Sequence, residues 1–440
     1  MEGTERKNTG LFGQEPRITA GILTAPEIRV AFDGLYREVS SGRTVTGEAV
    51  FRVGDWAGEA VFVPVEGKAS GFTLKDVVIG KKFHWQRSED QTFRGCLRLI
   101  REGEGVTAVN EIGVEDYLRS VISSEMNAGS PLDSLKAHAV ISRSWLLYQL
   151  ERKKQGEKRP QPASADDGDE YIRWFDREEH ARYDVCADDH CQRYQGITRA
   201  YTPAAAQAVD ETEGIVLVQD GRICDARYSK CCGGVTERFE NVWEPVPHPY
   251  LQRVADAAEA VEIPDLTVEE NARRWIESEP PAFCRTDDRR LLATVLNGYD
   301  RETPDFYRWE VTYAQDELSE LIRRKTGIEF GRVEALVPVE RGVSGRLVRL
   351  KIVGSRRTVV LGKELVIRQA LSPFCLYSSA FVADRETVGG KTLFRLRGAG
   401  WGHGVGLCQI GAAVMGSRGY GWKEILRHYY PGSEPVRLYD

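Results

Sequence analysis

The chain of 440 residues carries 60 basic and 66 acidic side chains, a formal charge of −6, with 41% apolar and 9% aromatic residues. At about 100–200 residues per domain this length predicts two or three domains with ample core. The composition excludes a disordered or collagen-like chain, and the acidic balance gives no footprint for nucleic acid or anionic lipid.

The opening MEGTERKNTGLFGQEPRITAG has early acids and no apolar run of signal-peptide type, so no export signal is expected, and residues 1–17 read as a disordered tail. From residue 18 to 100, β-rich runs (ITAGIL, IRVAF, EAVFRV, EAVFVPV) alternate with glycine and charged turns, the pattern of a small antiparallel unit. Between Gly113 and Leu150 the period turns helical twice, with a break at Asn127–Pro131, predicting a helical hairpin. This hairpin belongs to a core spanning 101–258, interrupted at 151–170 by a segment with no large apolar residue, read as a solvated loop. Residues 259–392 mix amphipathic stretches (VEENARRWIES, QDELSELIRRKTG) with β-like runs (RLVRLKIVG, RTVVLG), an inserted α+β lobe. Residues 393–440 return to glycine and aromatics and complete the core, with a helix near Trp422–Tyr430. The fold class expected is therefore α+β, a helical hairpin with β-rich elements in one lobe, a second α+β lobe inserted, and a cleft between them. The longest uncharged stretch, Gly398–Ser417, holds seven glycines and reads as a loop entering a short helix, so no membrane span is expected.

In the first helix Val114, Tyr117, Leu118, Val121, Ile122 and Met126 form one apolar stripe at 3.6-residue spacing. Glu125 also falls on that stripe, whereas Glu115, Asp116, Arg119, Ser120, Ser123 and Ser124 form the expected solvated face. Desolvation of Glu125 would disfavour its charged form, the condition for a proton donor near neutral pH. The alternative is that Glu125 curls out to solvent or pairs with Arg143, which the second helix brings near the hairpin seam. That helix is well started by Ser130 and Pro131, with Asp133 three residues after the cap. His138 reads as a helix-surface residue.

HARYDVCADDHCQRYQG gathers His180, Cys186, His190 and Cys191, thiol and imidazole groups of the kind zinc takes, though not at the spacing of a paired finger. Buried thiols with a surface histidine explain the same residues. YSKCCGGVTERFENVW adds Cys231 and Cys232 before Gly233-Gly234, which either turns the chain or admits a ligand to the backbone. GAGWGHGVGLCQIGAA places glycine at every second position from 398 to 406, suiting an extended segment with one bare face for a sugar or another backbone, or else a tightly packed central strand. The odd number of cysteines, nine, argues against a disulfide framework.

VNEIGVEDYLRSVISSEM with LKAHAVISRSW, and WGHGVGLCQIGAAVMGSRGYGWKEILRHYYPG, resemble the opening and closing motifs of the stage II sporulation protein D and amidase enhancer LytB family. HARYDVCADDHCQRYQG, YSKCCGGVTE, SGRLVRLKIVG and LVIRQAL fall between them in the family's order, so the likeness runs from about residue 18 to 432. The resemblance implies a lytic transglycosylase of peptidoglycan glycan strands stripped of their peptides, cleaving the β-1,4 bond between N-acetylmuramic acid and N-acetylglucosamine to 1,6-anhydro products. It implies Glu125, in the Ser124-Glu125-Met126 triplet, as catalytic acid and base, and zinc on His180, Cys186 and Cys191, with no organic cofactor. It further implies Tyr228, Ser229, Gly233, Gly234 and His403 as substrate contacts, to which Arg143, Trp401 and Gln409 are added. Asn127 stands where a proline commonly follows the triplet.

The amidase-enhancer branch implies a different role, a non-catalytic wall-binding protein with a cell-wall amidase as partner. A third reading makes the metal on His180, Cys186 and Cys191 the activator of a hydrolytic water. The family's substrate implies the cell envelope, which the N-terminal sequence does not match.

Overall fold

A computed structural model describes residues 13–439 apart from 57, 66–69, 81–85, 127–128, 157–164, 167, 175–179, 189, 199–202 and 297–304; Asn127 thus lies outside the described residues. The first 156 residues run β1 (Arg17–Ala25), β2 (Glu27–Glu38), β3 (Thr44–Arg52), β4 (Glu59–Pro64), β5 (Gly71–Ile79), β6 (Arg87–Arg94), β7 (Cys96–Glu102), β8 (Gly105–Gly113), α1 (Val114–Glu125) and α2 (Leu132–Gln155). Next come β9 (Ala165–Asp166), β10 (Glu170–Ile172), β11 (Val185–Cys186), α3 (Pro203–Glu211), β12 (Ile215–Gln219), β13 (Arg222–Ile223), β14 (Tyr228–Ser229), α4 (Glu269–Glu277) and α5 (Arg289–Val295). The remainder is β15 (Arg308–Ala314), α6 (Gln315–Thr326), β16 (Val333–Arg341), β17 (Leu347–Gly354), β18 (Thr358–Gly362), α7 (Glu364–Ala370), β19 (Phe381–Val388), β20 (Lys391–Ala399), β21 (Leu407–Cys408), α8 (Gln409–Ser417), α9 (Trp422–Tyr429) and β22 (Glu434–Arg437). The fold is α+β.

Two compact units divide the chain, one of residues 1–151, 177–216 and 435–440, the other of 152–176 and 217–434. In the first, nine strands form one sheet in the order β11-β1-β8-β7-β4-β2-β5-β6, with β3 on β2. The pairs are antiparallel except that β11 runs parallel to β1, setting Gly21 opposite Cys186. Strand β8 lies between β1 and β7 and is buried on both faces, which explains its near-continuous run GVTAVNEIG. It passes directly into α1, and strands on both sides of 100/101 share one sheet, so no boundary falls there: the β-rich segment and the hairpin lie in one compact unit.

Helix α2 buries residues on every side from Ser134 to Leu147. His138 is therefore fully buried, its Nδ1 3.2 Å from the Ser142 hydroxyl, not on the surface as its helical position suggested. Residues from the far end of the chain complete this unit: the Leu438 amide donates to the Gly214 carbonyl at 2.9 Å, and the Tyr439 hydroxyl to Glu115 Oε1 at 2.6 Å.

In the second unit β16-β17-β18-β10-β9 form one sheet and β15-β20-β19 another. Leu318, Leu321 and Ile322 of α6 and Ile367 of α7 share a core with Leu350, Ile352, Leu361, Phe394 and Leu396 of the strands. Helix α6 ends on Gly327 at φ +74, the left-handed cap for which glycine carries no Cβ penalty. The segment 151–170 is not wholly loop: α2 extends to Gln155, and β10 joins the sheet beside β18. Residues 217–258 and 393–434 pack in this same unit with the segment expected to be a separate insertion.

Candidate functional site

Glu125 closes α1 and is half-buried; its Oε1 accepts the Arg193 amide at 3.1 Å. The loop carrying Arg193 is stapled to α1 at two further points: Tyr117 donates to Gln192 Oε1 at 3.4 Å and the Gln195 amide to Ser120 Oγ at 3.2 Å. Gln192 Nε2 reaches the Ser142 carbonyl at 3.2 Å, so both hairpin helices hold the loop. Half of the α1 face expected to be solvated is buried. Glu115, Ser120 and Ser124 are below 5% exposed, because α3 and Tyr439 pack there.

Glu115 is the deep acid of this helix. Arg143, expected near Glu125 or on substrate, is instead fully buried with its fork on Glu115, Nε at 2.8 Å and Nη2 at 2.5 Å, while Nη1 donates to the Ile215 carbonyl at 3.0 Å. A guanidinium so enclosed is a structural anchor, since a bidentate carboxylate partner offsets the desolvation that a buried charge otherwise costs.

His180, Cys186, His190 and Cys191 converge, their ligand atoms all within 4.8 Å of one another. Cys191 Sγ lies 3.5 Å from His180 Nε2 and 3.5 Å from His190 Nδ1, and Cys186 Sγ is 3.9 Å from His190 Nδ1. With Zn–S about 2.3 Å and Zn–N about 2.0 Å, a tetrahedron has edges of about 3.5–3.8 Å, so the set fits zinc. Hydrogen bonding with Cys191, and with His180 and His190, holds the Cys186 thiol far below its ordinary range against the opposing effect of burial. Position is fixed by β11 on β1, and Tyr183 stacks on His180 with centroids 4.6 Å apart. A Cβ at Gly21 would sit 2.6 Å from the Tyr183 ring.

In the second unit β14 pairs in parallel with β21, Tyr228 opposite Leu407 and Ser229 opposite Cys408. Cys231 and Trp401 exchange backbone hydrogen bonds of 3.0 and 2.8 Å, joining the two glycine-rich segments. The segment from Gly400 to Gly406 is not extended: its four glycines have φ between +71 and +92. A Cβ at Gly406 would meet the Arg227 carbonyl oxygen at 1.9 Å, and at Gly400 the Cys231 carbonyl oxygen at 2.7 Å. These bare positions are occupied by the protein's own backbone. Gly233 lies equally close to Gly400, whose nitrogen would stand 2.9 Å from an added Cβ.

Trp401 is stacked on Phe306 at 4.9 Å and 16°, with Tyr377 edge-on at 5.1 Å, so protein aromatics cover a face expected to meet sugar. Gln409 is buried at the start of α8. His403 is half-buried, with Nδ1 accepting the Val405 amide at 3.0 Å and its ring against Trp243 at 4.6 Å. Ser229 is buried and its hydroxyl has no partner among the described residues. Sequence reasoning missed Arg346, buried beneath the glycine segment with Nε on the Gly402 carbonyl at 3.2 Å and Nη1 on the Cys232 carbonyl at 3.2 Å. It also missed Glu237, which accepts the Val343 amide and the Ser344 amide and hydroxyl. Neither carries a local signal, because the partners just named lie more than 50 residues away in sequence.

A model of the stage II sporulation protein family matches residues 102–219, and a domain of unknown function, DUF8618, matches residues 237–406. The chain is 22% identical over 325 residues to stage II sporulation protein D of Bacillus amyloliquefaciens, covering 74% of each. The chain is thus similar to the stage II sporulation protein D family, with residues 102–219 as the matched segment. An uncharacterized protein of Brachyspira hyodysenteriae is 27% identical over 78% of this chain and 72% of its own length. The amidase enhancer of Bacillus subtilis is 24% identical over 72% of this chain and 40% of the enhancer. The sporulation-protein segment contains Glu115, Glu125, Arg143 and all four thiol and imidazole groups of the 180–191 loop; Arg346 and His403 fall in the second matched segment.

Proposed function

We propose that the protein is a peptidoglycan lytic transglycosylase in which Glu125 is the single general acid and base. The observation that carries this reading is the placement of Glu125: a half-exposed carboxylate at a helix end, oriented by the Arg193 amide on a loop that both hairpin helices hold. As acid, Glu125 protonates the oxygen leaving the anomeric carbon, and the glycosidic bond breaks. As base, the resulting carboxylate takes the proton of the muramic acid 6-hydroxyl as that oxygen attacks the anomeric carbon, closing the 1,6-anhydro ring and restoring the acid. The nucleophile belongs to the substrate, so the two-carboxylate geometry of ordinary glycosidases is not required.

His180, Cys186 and Cys191 would hold zinc, with His190 in reach as a fourth ligand. Four protein ligands are the set of a structural site, in which the ion supplies rigidity and not an activated water. Cys191 stands two residues before Arg193, so fixing it fixes the amide that orients Glu125.

The name of the amidase enhancer of Bacillus subtilis favours a second reading, a non-catalytic wall protein that stimulates an amidase. Mass spectrometry of peptide-free glycan strands after incubation separates the two. Wild type is expected to leave 1,6-anhydro ends, and Glu125→Gln to lower their rate by about 10²–10⁴-fold with an unchanged circular dichroism spectrum. Anhydro ends at equal rates from both proteins would remove Glu125 from the mechanism. Glycan binding without anhydro product from the wild type, together with stimulation of an amidase, would establish the second reading.

A further inference from the structure

A second group of metal-ligating side chains lies in the unit of residues 217–434, in none of the roles assigned above. Cys232, Asp256, Cys284 and Cys408 are each 2% exposed or less, and one ligand atom of each lies within 4.8 Å of all the others. The Cys232 and Cys284 sulfurs are 3.8 Å apart. That separation is the edge of a zinc–thiolate tetrahedron, about 3.8 Å for Zn–S about 2.3 Å, and far beyond the about 2.05 Å of a disulfide. Four segments distant in sequence meet here: the turn after β14, the stretch around Asp256, the loop between α4 and α5, and the start of α8.

Asp256 is the decisive member. Its carboxylate is fully buried; Oδ1 accepts the Tyr429 hydroxyl at 2.5 Å, Oδ2 accepts the Cys284 amide at 2.8 Å, and the Cys284 thiol is a further partner. A buried carboxylate among thiols is costly unless a cation shares the site. Around the metal-facing groups stand the donors that a metal's outer shell requires. Cys408 Sγ accepts the amides of Cys232 at 3.3 Å and Gly411 at 3.4 Å, the latter at the N-terminus of α8. Gly411 is bare for a reason: a Cβ there would lie 2.2 Å from the Tyr429 hydroxyl and 2.4 Å from Asp256 Oδ1.

We propose that Cys232, Asp256, Cys284 and Cys408 form a closed, structural site for a single zinc ion. Thiolates and a carboxylate in a four-ligand set suit zinc over magnesium or calcium, which take oxygen. The ion would tie the Gly233-Gly234 turn to the start of α8, holding Ser229 and the glycine segment in place from beneath. Cys231, also buried, interacts with the Cys284 and Cys408 thiols but lies outside the set whose ligand atoms are all within 4.8 Å of one another, and the proposed site is closed without it.

The test counts metal in the full chain. After expression with zinc, the variant His180→Ala/Cys186→Ser/Cys191→Ser, which lacks the other ligand group, is expected to retain one zinc ion per chain by plasma mass spectrometry. In the wild-type background Cys284→Ser and Cys408→Ser are each expected to lower zinc by one equivalent, while Cys231→Ser leaves it unchanged. Replacement by cobalt is expected to give the intense visible bands of a tetrahedral thiolate site, retained in Cys231→Ser. Equal zinc content in wild type, Cys284→Ser and Cys408→Ser would overturn the site, as would iron with acid-labile sulfide, or a Cys232–Cys284 disulfide detected as two hydrogens lost by intact mass.

Discussion

Two glutamates of one helix end in opposite circumstances. Glu115 is 3% exposed and receives Arg143, the Gly214 amide and the Tyr439 hydroxyl, whereas Glu125 stays half-buried with the Arg193 amide on one oxygen. Helical periodicity assigns them the reverse way, because it registers only the face that α1 itself makes apolar. Another buried residue ties the stability of the fold to pH. His248 packs edge-on against Phe239 at 4.4 Å and bonds to Tyr250 at 3.1 Å. Burial, then the charge of Arg152, pushes its pKa down to about 4. An unfolded histidine titrates near 6.5, so from about pH 6.5 to 4 the unfolded chain binds a proton that the folded one refuses. Stability is therefore expected to fall with falling pH across that window, by up to about 3 kcal/mol from this residue. Urea midpoints measured from pH 7 to 4 should drop less steeply in His248→Gln; parallel curves for the two proteins would refute the assignment.

Among the connecting segments, the glycine run sets the tightest constraint. Gly406 and Gly419 both sit at positive φ, +71 and +86, yet only at Gly406 does backbone stand in the way of a Cβ, the Arg227 oxygen at 1.9 Å. Gly419→Ala is expected to cost about 1–2 kcal/mol, the conformational penalty alone. Gly406→Ala should cost several kcal/mol more, since β14 must separate from β21; thermal denaturation of the pair measures the difference, and equal losses would mean the contact is dispensable. The elements themselves were largely legible: the hairpin with its break at 127–131, the four opening strands, α4, α6, β17, β18 and the helix starting at Trp422 all follow from period and turn chemistry. Alternating glycines were legible as a place of close approach but not as turns, because spacing does not report φ. The residues that build the buried sites, Arg143 with Glu115 and Cys232 with Asp256, Cys284 and Cys408, were legible only as types. Their partners are brought in by topology, 24 to 176 residues away in the chain.

On the scale of the molecule, the first compact unit is assembled from three stretches of chain, and residues 435–440 are the last. Tyr439 meets Glu115 across 324 residues of sequence, and the Tyr439 carbonyl oxygen lies 2.0 Å from where a Cβ at Gly214 would be. At about 5–20 residues per second, a ribosome needs roughly 15–60 s to make the intervening chain. During that interval the Glu115–Arg143 pair lacks one of its hydrogen-bond donors and the cover over Gly214. Nascent chains arrested before Pro435 are expected to be cut by protease between α1 and α3, and full-length released chains to resist; equal resistance would show that the unit closes without its last strand. The order in which the chain leaves the ribosome therefore keeps the unit that holds β1 waiting for residues 435–440, open to chaperones until they emerge.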